Sequence, residues 1–299
     1  MNTSATAIRR RHFISTIASL SAFGVLSPGL AAAQTAAPPA VGAPARRGRI
    51  KQAICRGVFS GSKLDLEGMC RETARLGLWG IDLVGPDTFP TLKKYGLVPT
   101  MVPGGSGIKS GINDPKNHAD IEPKLVAAIQ DAAAAGAPNV IVLAGDRAGI
   151  SDEQGLETSA TFLKKVKAVA EDKGVTLCVE LLNSKVNHPG YMCDTTKWGV
   201  ELCKRVDSPR VKLLYDIYHM QIMEGDVIRT IKANLKYIGH FHTAGNPGRH
   251  EFDDTQELNY VGICKAIADL GFEGYLSHEY TPTKDAVATL EKMVKICEV

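Results

Sequence analysis

From residue 51 onward, short apolar runs alternate with stretches of helical period. The runs are QAICRGV (52–58), GIDLV (80–84), LVPTMV (97–102), NVIVLAG (139–145), TLCVELL (176–182), VKLLYD (211–216), YIGHFH (237–242) and GYLSHE (274–279). Most are apolar on both faces, as expected of strands in a parallel sheet covered on both sides. Between and after them the spacing predicts helices over 66–76, 87–95, 119–136, 155–173, 195–206, 226–234, 258–269 and 284–297. Gly77, Gly136, Gly174 and Gly271 stand where helix C-caps are expected. Eight strand–helix units in about 250 residues is the count of a closed (β/α)8 TIM barrel. An open doubly wound sheet would carry a glycine-rich phosphate turn after its first strand, and RGVFSGSKLDLE lacks the GxGxxG spacing.

The first fifty residues do not join this pattern. RRRHFIS (9–15) precedes the mild apolar run TIASLSAFGVLSPGL and the small-residue stretch AAAQ, which reads as an export signal cleaved after Ala33. Arg10 and Arg11 before Phe13 and Ile14 suit the twin-arginine route and a periplasmic destination. Interrupted by Ser, Gly and Pro28, the run is too short for a stable membrane anchor. Residues 34–50 are Ala/Pro-rich and read as a flexible tether, which leaves 51–299 as the catalytic domain.

Charge then narrows the partners. The signal contains Arg9, Arg10 and Arg11 and no acid, so 35 basic residues less three leaves 32 against 32 acidic. A neutral mature chain lacks the field that nucleic acid or an anionic membrane requires. A small molecule is the expected partner. The seven cysteines sit singly, without CxxC spacing, and read as buried reduced thiols.

Four successive strands break their apolar character at the carboxyl end: Glu180, Asp216, His242 and Glu279 stand 36, 26 and 37 residues apart, one βα unit each. In a barrel these ends share one mouth. Three carboxylates gathered there would repel one another unless a cation joined them. Three oxygen ligands and one imidazole suit a single divalent cation, Mg²⁺ or Mn²⁺, the histidine favouring Mn²⁺, with Co²⁺ or Zn²⁺ also acceptable. His219 lies just past the sixth strand, within reach of a substrate. His240 reads either as a core histidine or as part of the site. Asp82 and Asp146 are strand-end acids that either shape the pocket or serve structure.

The segments VELLNSKVNHPGYMCDT (179–195), YDIYHMQIMEGD (215–226), IGHFHTAGNPGRHE (238–251) with ELNY (257–260), and HEY (278–280) resemble the hydroxypyruvate isomerase branch of the xylose-isomerase-like barrels. The resemblance covers strands five to eight, and the earlier strands only in general pattern. It implies proton transfer by Glu180 and Glu279, substrate contacts from His219 and Arg249, a hydroxy-carbonyl or sugar substrate, and a tendency of the barrels to pair. The reaction it implies is aldose–ketose isomerisation of hydroxypyruvate to tartronate semialdehyde. Two features depart from that pattern. His242 stands where those isomerases carry Gln, a histidine being similar to the ketose 3-epimerases of the superfamily, and the loop HEFDDTQELNY (250–260) is longer. A ketose 3-epimerase or a 3-oxo-glycoside lyase would use the same metal site, and a non-catalytic sugar-binding barrel would be expected to have lost one glutamate. A multi-metal hydrolase would need more than the eight histidines present.

Overall fold

The computed structural model describes residues 46–299; the expected export signal and residues 34–45 of the expected tether lie outside the described residues. Eight parallel strands close into a ring in chain order: β1 (Lys51–Cys55), β2 (Gly80–Asp82), β3 (Val98–Pro103), β4 (Asn139–Val142), β5 (Thr176–Glu180), β6 (Val211–Asp216), β7 (Ile238–Thr243) and β8 (Tyr275–His278). Pairing of Lys51 with Tyr275 and of Ile54 with His278 completes the ring. This is the (β/α)8 barrel that the alternation predicted.

The outer layer comprises α1 (Leu66–Arg75), α2 (Phe89–Lys94), α3 (His118–Ala135), α4 (Asp152–Lys173), α5 (Thr196–Val206), α6 (Ile217–Met223), α7 (Val227–Asn234), α8 (Tyr260–Asp269) and α9 (Ala286–Cys297). The ends of α4 show why the sequence stops it there. Ser151 and Gln154 form a capping box at its start, and Gly174 takes a left-handed φ of 67° at its end. Sequence spacing called for one helix after β6, but the chain makes two. Asp216 caps the short α6, and Gly225 (φ 64°) and Asp226 (φ 45°) then turn the chain into α7. Among the described residues no helix is long and apolar enough to cross a membrane.

Most of the core lies between the ring and the helices. Inside the ring the packing differs. Met101, Ile141, Cys178 and Leu214 form a separate small apolar cluster, and much of the remaining interior is polar and fully buried: Asp82, His240, His242 and Ser277. All seven cysteines are free and buried. Residues 46–50 run against the barrel: Arg46 lies 3.7 Å over the Trp79 ring, and the Arg49 N–H donates to the Val299 carbonyl at 2.9 Å.

Candidate active site

Strand register determines which side chains share the mouth. Asp216 pairs with His242, and His242 with Ser277, two residues before Glu279. Glu180 pairs with Leu214, two residues before Asp216. Neighbours across a parallel sheet and residues two apart along a strand point the same way, so all four side chains face the barrel interior. One ligand atom from each of Glu180, Asp216, His242 and Glu279 lies within 4.8 Å of every other.

The local electrostatics fit a cation at this point. His242 Nδ1 is buried 2.9 Å from Glu279 Oε2 and 3.5 Å from Glu180 Oε1, with no aligned hydrogen bond to either. Glu180 is buried, and burial together with the charge of Glu279 raises its carboxyl above the ordinary range. Burial pushes Glu279 the same way, but His242 and Arg249 outweigh it and hold Glu279 low. Burial would lower His242, yet Cys55, Glu279 and Asp82 raise it well above the usual imidazole value. Four clustered donor groups of this kind could share either a proton or a cation between them.

Asp216 does two jobs. Its Oδ1 accepts from the His219 backbone N–H at 3.0 Å, capping α6, while Oδ2 turns toward the site. The cap seats His219 beside the cluster, with its Nε2 3.7 Å from Asp216 Oδ2. His219 Nδ1 accepts from the Asn183 backbone N–H at 3.1 Å, so the proton belongs on Nε2, which is buried and has no partner. Burial pushes this imidazole down to about 4, and it is therefore neutral at ordinary pH. The result is an unpartnered N–H donor beside Asp216 and the cluster.

Arg249 arrives on the loop after β7. Its backbone has a φ of 58°, a conformation that is strained for a non-glycine residue and that the loop nevertheless enforces. Its Nη2 contacts Glu279 Oε2 at 2.6 Å and Asp216 Oδ2 at 3.4 Å, and the Tyr218 ring lies 5.5 Å beneath the guanidinium. The structure thus brings together all six residues singled out in the sequence. It also adds two. Asn183 orients His219, and fully buried Asp82 bonds to both His240 (2.7 Å) and His242 (3.0 Å). The signal for Asp82 was present, an acid closing an apolar strand, but a single such acid is usually structural. Asp146 is not in this cluster; its backbone bridges to Tyr191.

Comparison with known proteins agrees with this architecture. The family "Xylose isomerase-like TIM barrel" matches residues 91–296. The chain is 33% identical over 179 residues to the 2-oxo-tetronate isomerase of Cupriavidus necator, covering 59% of this chain and 67% of that protein. It is 32% identical over 180 residues to the hydroxypyruvate isomerase of Escherichia coli, covering 60% and 69%. In relatives from Xenopus laevis and Danio rerio the match spans about half their length, 54% and 52%. Among solved structures, a family 2 AP endonuclease from Brucella melitensis superposes with a TM-score of 0.74 at 24% identity, over 81% of this chain and 97% of that one. The D-psicose 3-epimerase of Clostridium cellulolyticum does so at 0.68 and 21%, over 84% and 100%; both likenesses are of fold. The chain belongs to the xylose isomerase-like TIM-barrel family.

Proposed function

We propose that this protein is a divalent-metal-dependent aldose–ketose isomerase, with hydroxypyruvate to tartronate semialdehyde as its leading reaction. The observation that carries the reading is the convergence of Glu180, Asp216, His242 and Glu279 on one point, with two glutamates in the set. These four side chains would hold the cation, Mn²⁺ or Mg²⁺. When bound, it would polarise the carbonyl and hydroxyl oxygens of the substrate and stabilise developing negative charge.

The chain's own groups account for the rest. Glu279, kept ionised by His242 and Arg249, is suited to take the proton from the substrate carbon. Glu180, whose carboxyl is raised, is suited to hold and return a proton at the neighbouring carbon. Neutral His219 donates from Nε2 to a substrate oxygen. Arg249 offers a planar fork to a carboxylate, a group that hydroxypyruvate carries and a ketose lacks. A carboxylate engaging Arg249 would draw it partly off Glu279 and free that base.

The test is proton NMR in D₂O with cation restored, on hydroxypyruvate and a panel of ketoses. Conversion of hydroxypyruvate with deuterium entering the product supports the isomerase; deuterium confined to carbon 3 of a ketose moves the protein to the epimerases. That second reading is favoured by one residue, the histidine at 242. Arg249→Met separates the two, because it should raise KM for hydroxypyruvate about 10–100-fold, as expected for a lost hydrogen bond to a charged group, and leave a neutral ketose nearer the wild type. We also propose export by the twin-arginine route, checked by whether the mature chain in the periplasm begins after Ala33 and whether Arg10→Lys with Arg11→Lys retains the precursor.

A further inference from the structure

The hydrogen bonds inside the barrel can be given directions, starting where there is no choice. The Thr100 carbonyl only accepts, so Asn139 Nδ2 donates to it at 3.0 Å. The Asn139 Oδ1 then faces Cys178 Sγ at 3.7 Å. The same Asn139 amide lies 3.4 Å from His240 Nδ1, which must therefore accept, leaving the His240 proton on Nε2. That N–H donates to Asp82 Oδ2 at 2.7 Å. Asp82 Oδ1 accepts from the Thr100 hydroxyl. His242 Nε2 meets the same Oδ2 at 3.0 Å. An unprotonated Nε2 there would set a lone pair against a carboxylate, so His242 also carries its proton on Nε2. Its Nδ1, 2.9 Å from Glu279 Oε2 and 3.5 Å from Glu180 Oε1, is then the nitrogen left to a cation between the glutamates.

We propose that Asp82, on β2 across the barrel from β6 and β7, is a positioning residue: it fixes the tautomer of His242 and so makes Nδ1 the ligand atom. It touches neither the cation nor the substrate. Metal-bound histidines commonly donate their other N–H to a carboxylate, and loss of that partner weakens binding about 10–100-fold. Here one carboxylate oxygen serves two histidines, only one of which joins the four-residue cluster. His240 supplies Asp82 with a second imidazole donor, which keeps the carboxylate ionised and fully committed inside the buried ring.

This role rests on the metal centre proposed above, and the experiment separates the two. Binding of Mn²⁺ to the full chain is followed by the electron paramagnetic resonance of the free ion, for wild type and Asp82→Asn. The side-chain amide that the substitution introduces would donate to Nε2 and drive the proton to Nδ1. The expected result is a Kd raised about 10–100-fold in the variant with circular dichroism unchanged. Equal affinities would overturn the role of Asp82 alone; no binding by the wild type would overturn the centre and the role together. Should the variant fail to fold, ¹⁵N-histidine correlation spectra of the Mg²⁺-loaded wild type decide the matter. Nε2–H resonances for both His240 and His242 support the inference, and an Nδ1–H on His242 overturns it.

Discussion

The two halves of the barrel mouth are built alike and equipped differently. Strands β5 to β8 end in Glu180, Asp216, His242 and Glu279, which meet at one point. Strands β1 to β4 contribute Cys55 and Asp82, which face the back of His242, at 3.6 Å and 3.0 Å from its Nε2, and touch nothing of the ligand set beyond it. One half carries the four clustered donors; the other half holds one of them, His242, by a hydrogen bond. A barrel makes this division cheap, because residues far apart in sequence stand across a narrow lumen from each other on rigid strands.

The sharpest way to break this comparison is to remove a proton-transfer group. Glu279→Gln should abolish exchange of the substrate's carbon-bound hydrogen with solvent, and Glu180→Gln should abolish delivery of deuterium to the neighbouring carbon, each a loss of at least ~10²–10⁴ in rate, read by proton NMR. Wild-type behaviour of either variant in its own step would end the two-glutamate assignment. Chelation acts on the same half as a whole: turnover should vanish and return with Mn²⁺. Cation at a hundred times its Kd should raise the unfolding free energy by about 2.7 kcal/mol, measured by denaturant titration. A smaller effect lies beside the site at His278, where burial pushes the imidazole down to about 3 while Gln52 and Thr243 hold it. The unfolded chain takes up a proton that the folded chain refuses. Stability therefore falls as pH drops below about 6.5, by up to about 1.4 kcal/mol per pH unit; His278→Asn should flatten this slope relative to the wild type. The mildest change lies in the supporting half. Thr100→Val removes one hydrogen bond to Asp82 and should cost about 1 kcal/mol of stability and only a few-fold in Mn²⁺ affinity. A loss as large as that of a glutamate variant would erase the distinction between the halves.

The equipped half was also the legible one. Its four clustered donors each interrupt an apolar run, and an interruption repeated at one βα spacing is visible without any structure. The helices of the outer layer were legible for the same reason, since their caps and periods are local; α4 begins at Ser151 with its capping box and ends at Gly174. What could not be read is contact across the ring. Asp82 and His242 are 160 residues apart and share a bond only because the ring closes. Asn183 was hidden differently: it holds His219 Nδ1 partly through its backbone N–H, which every residue but proline owns, and partly through its side-chain amide 2.6 Å away. The short α6 ahead of the expected 226–234 helix was likewise invisible, because Asp216 looked like a ligand and is also a cap.

The seven buried thiols turn the molecule into its own stopwatch. A thiol sealed from solvent reacts with a soluble disulfide reagent only when its surroundings open, so each labelling rate reports a local opening free energy. Cys55 and Cys178 sit inside the ring, while Cys70, Cys264 and Cys297 pack among the outer helices. Labelling followed by mass spectrometry therefore distinguishes breathing of the helical layer from rupture of the barrel. A ligand that locks the mouth would slow the first pair and leave the other three ticking.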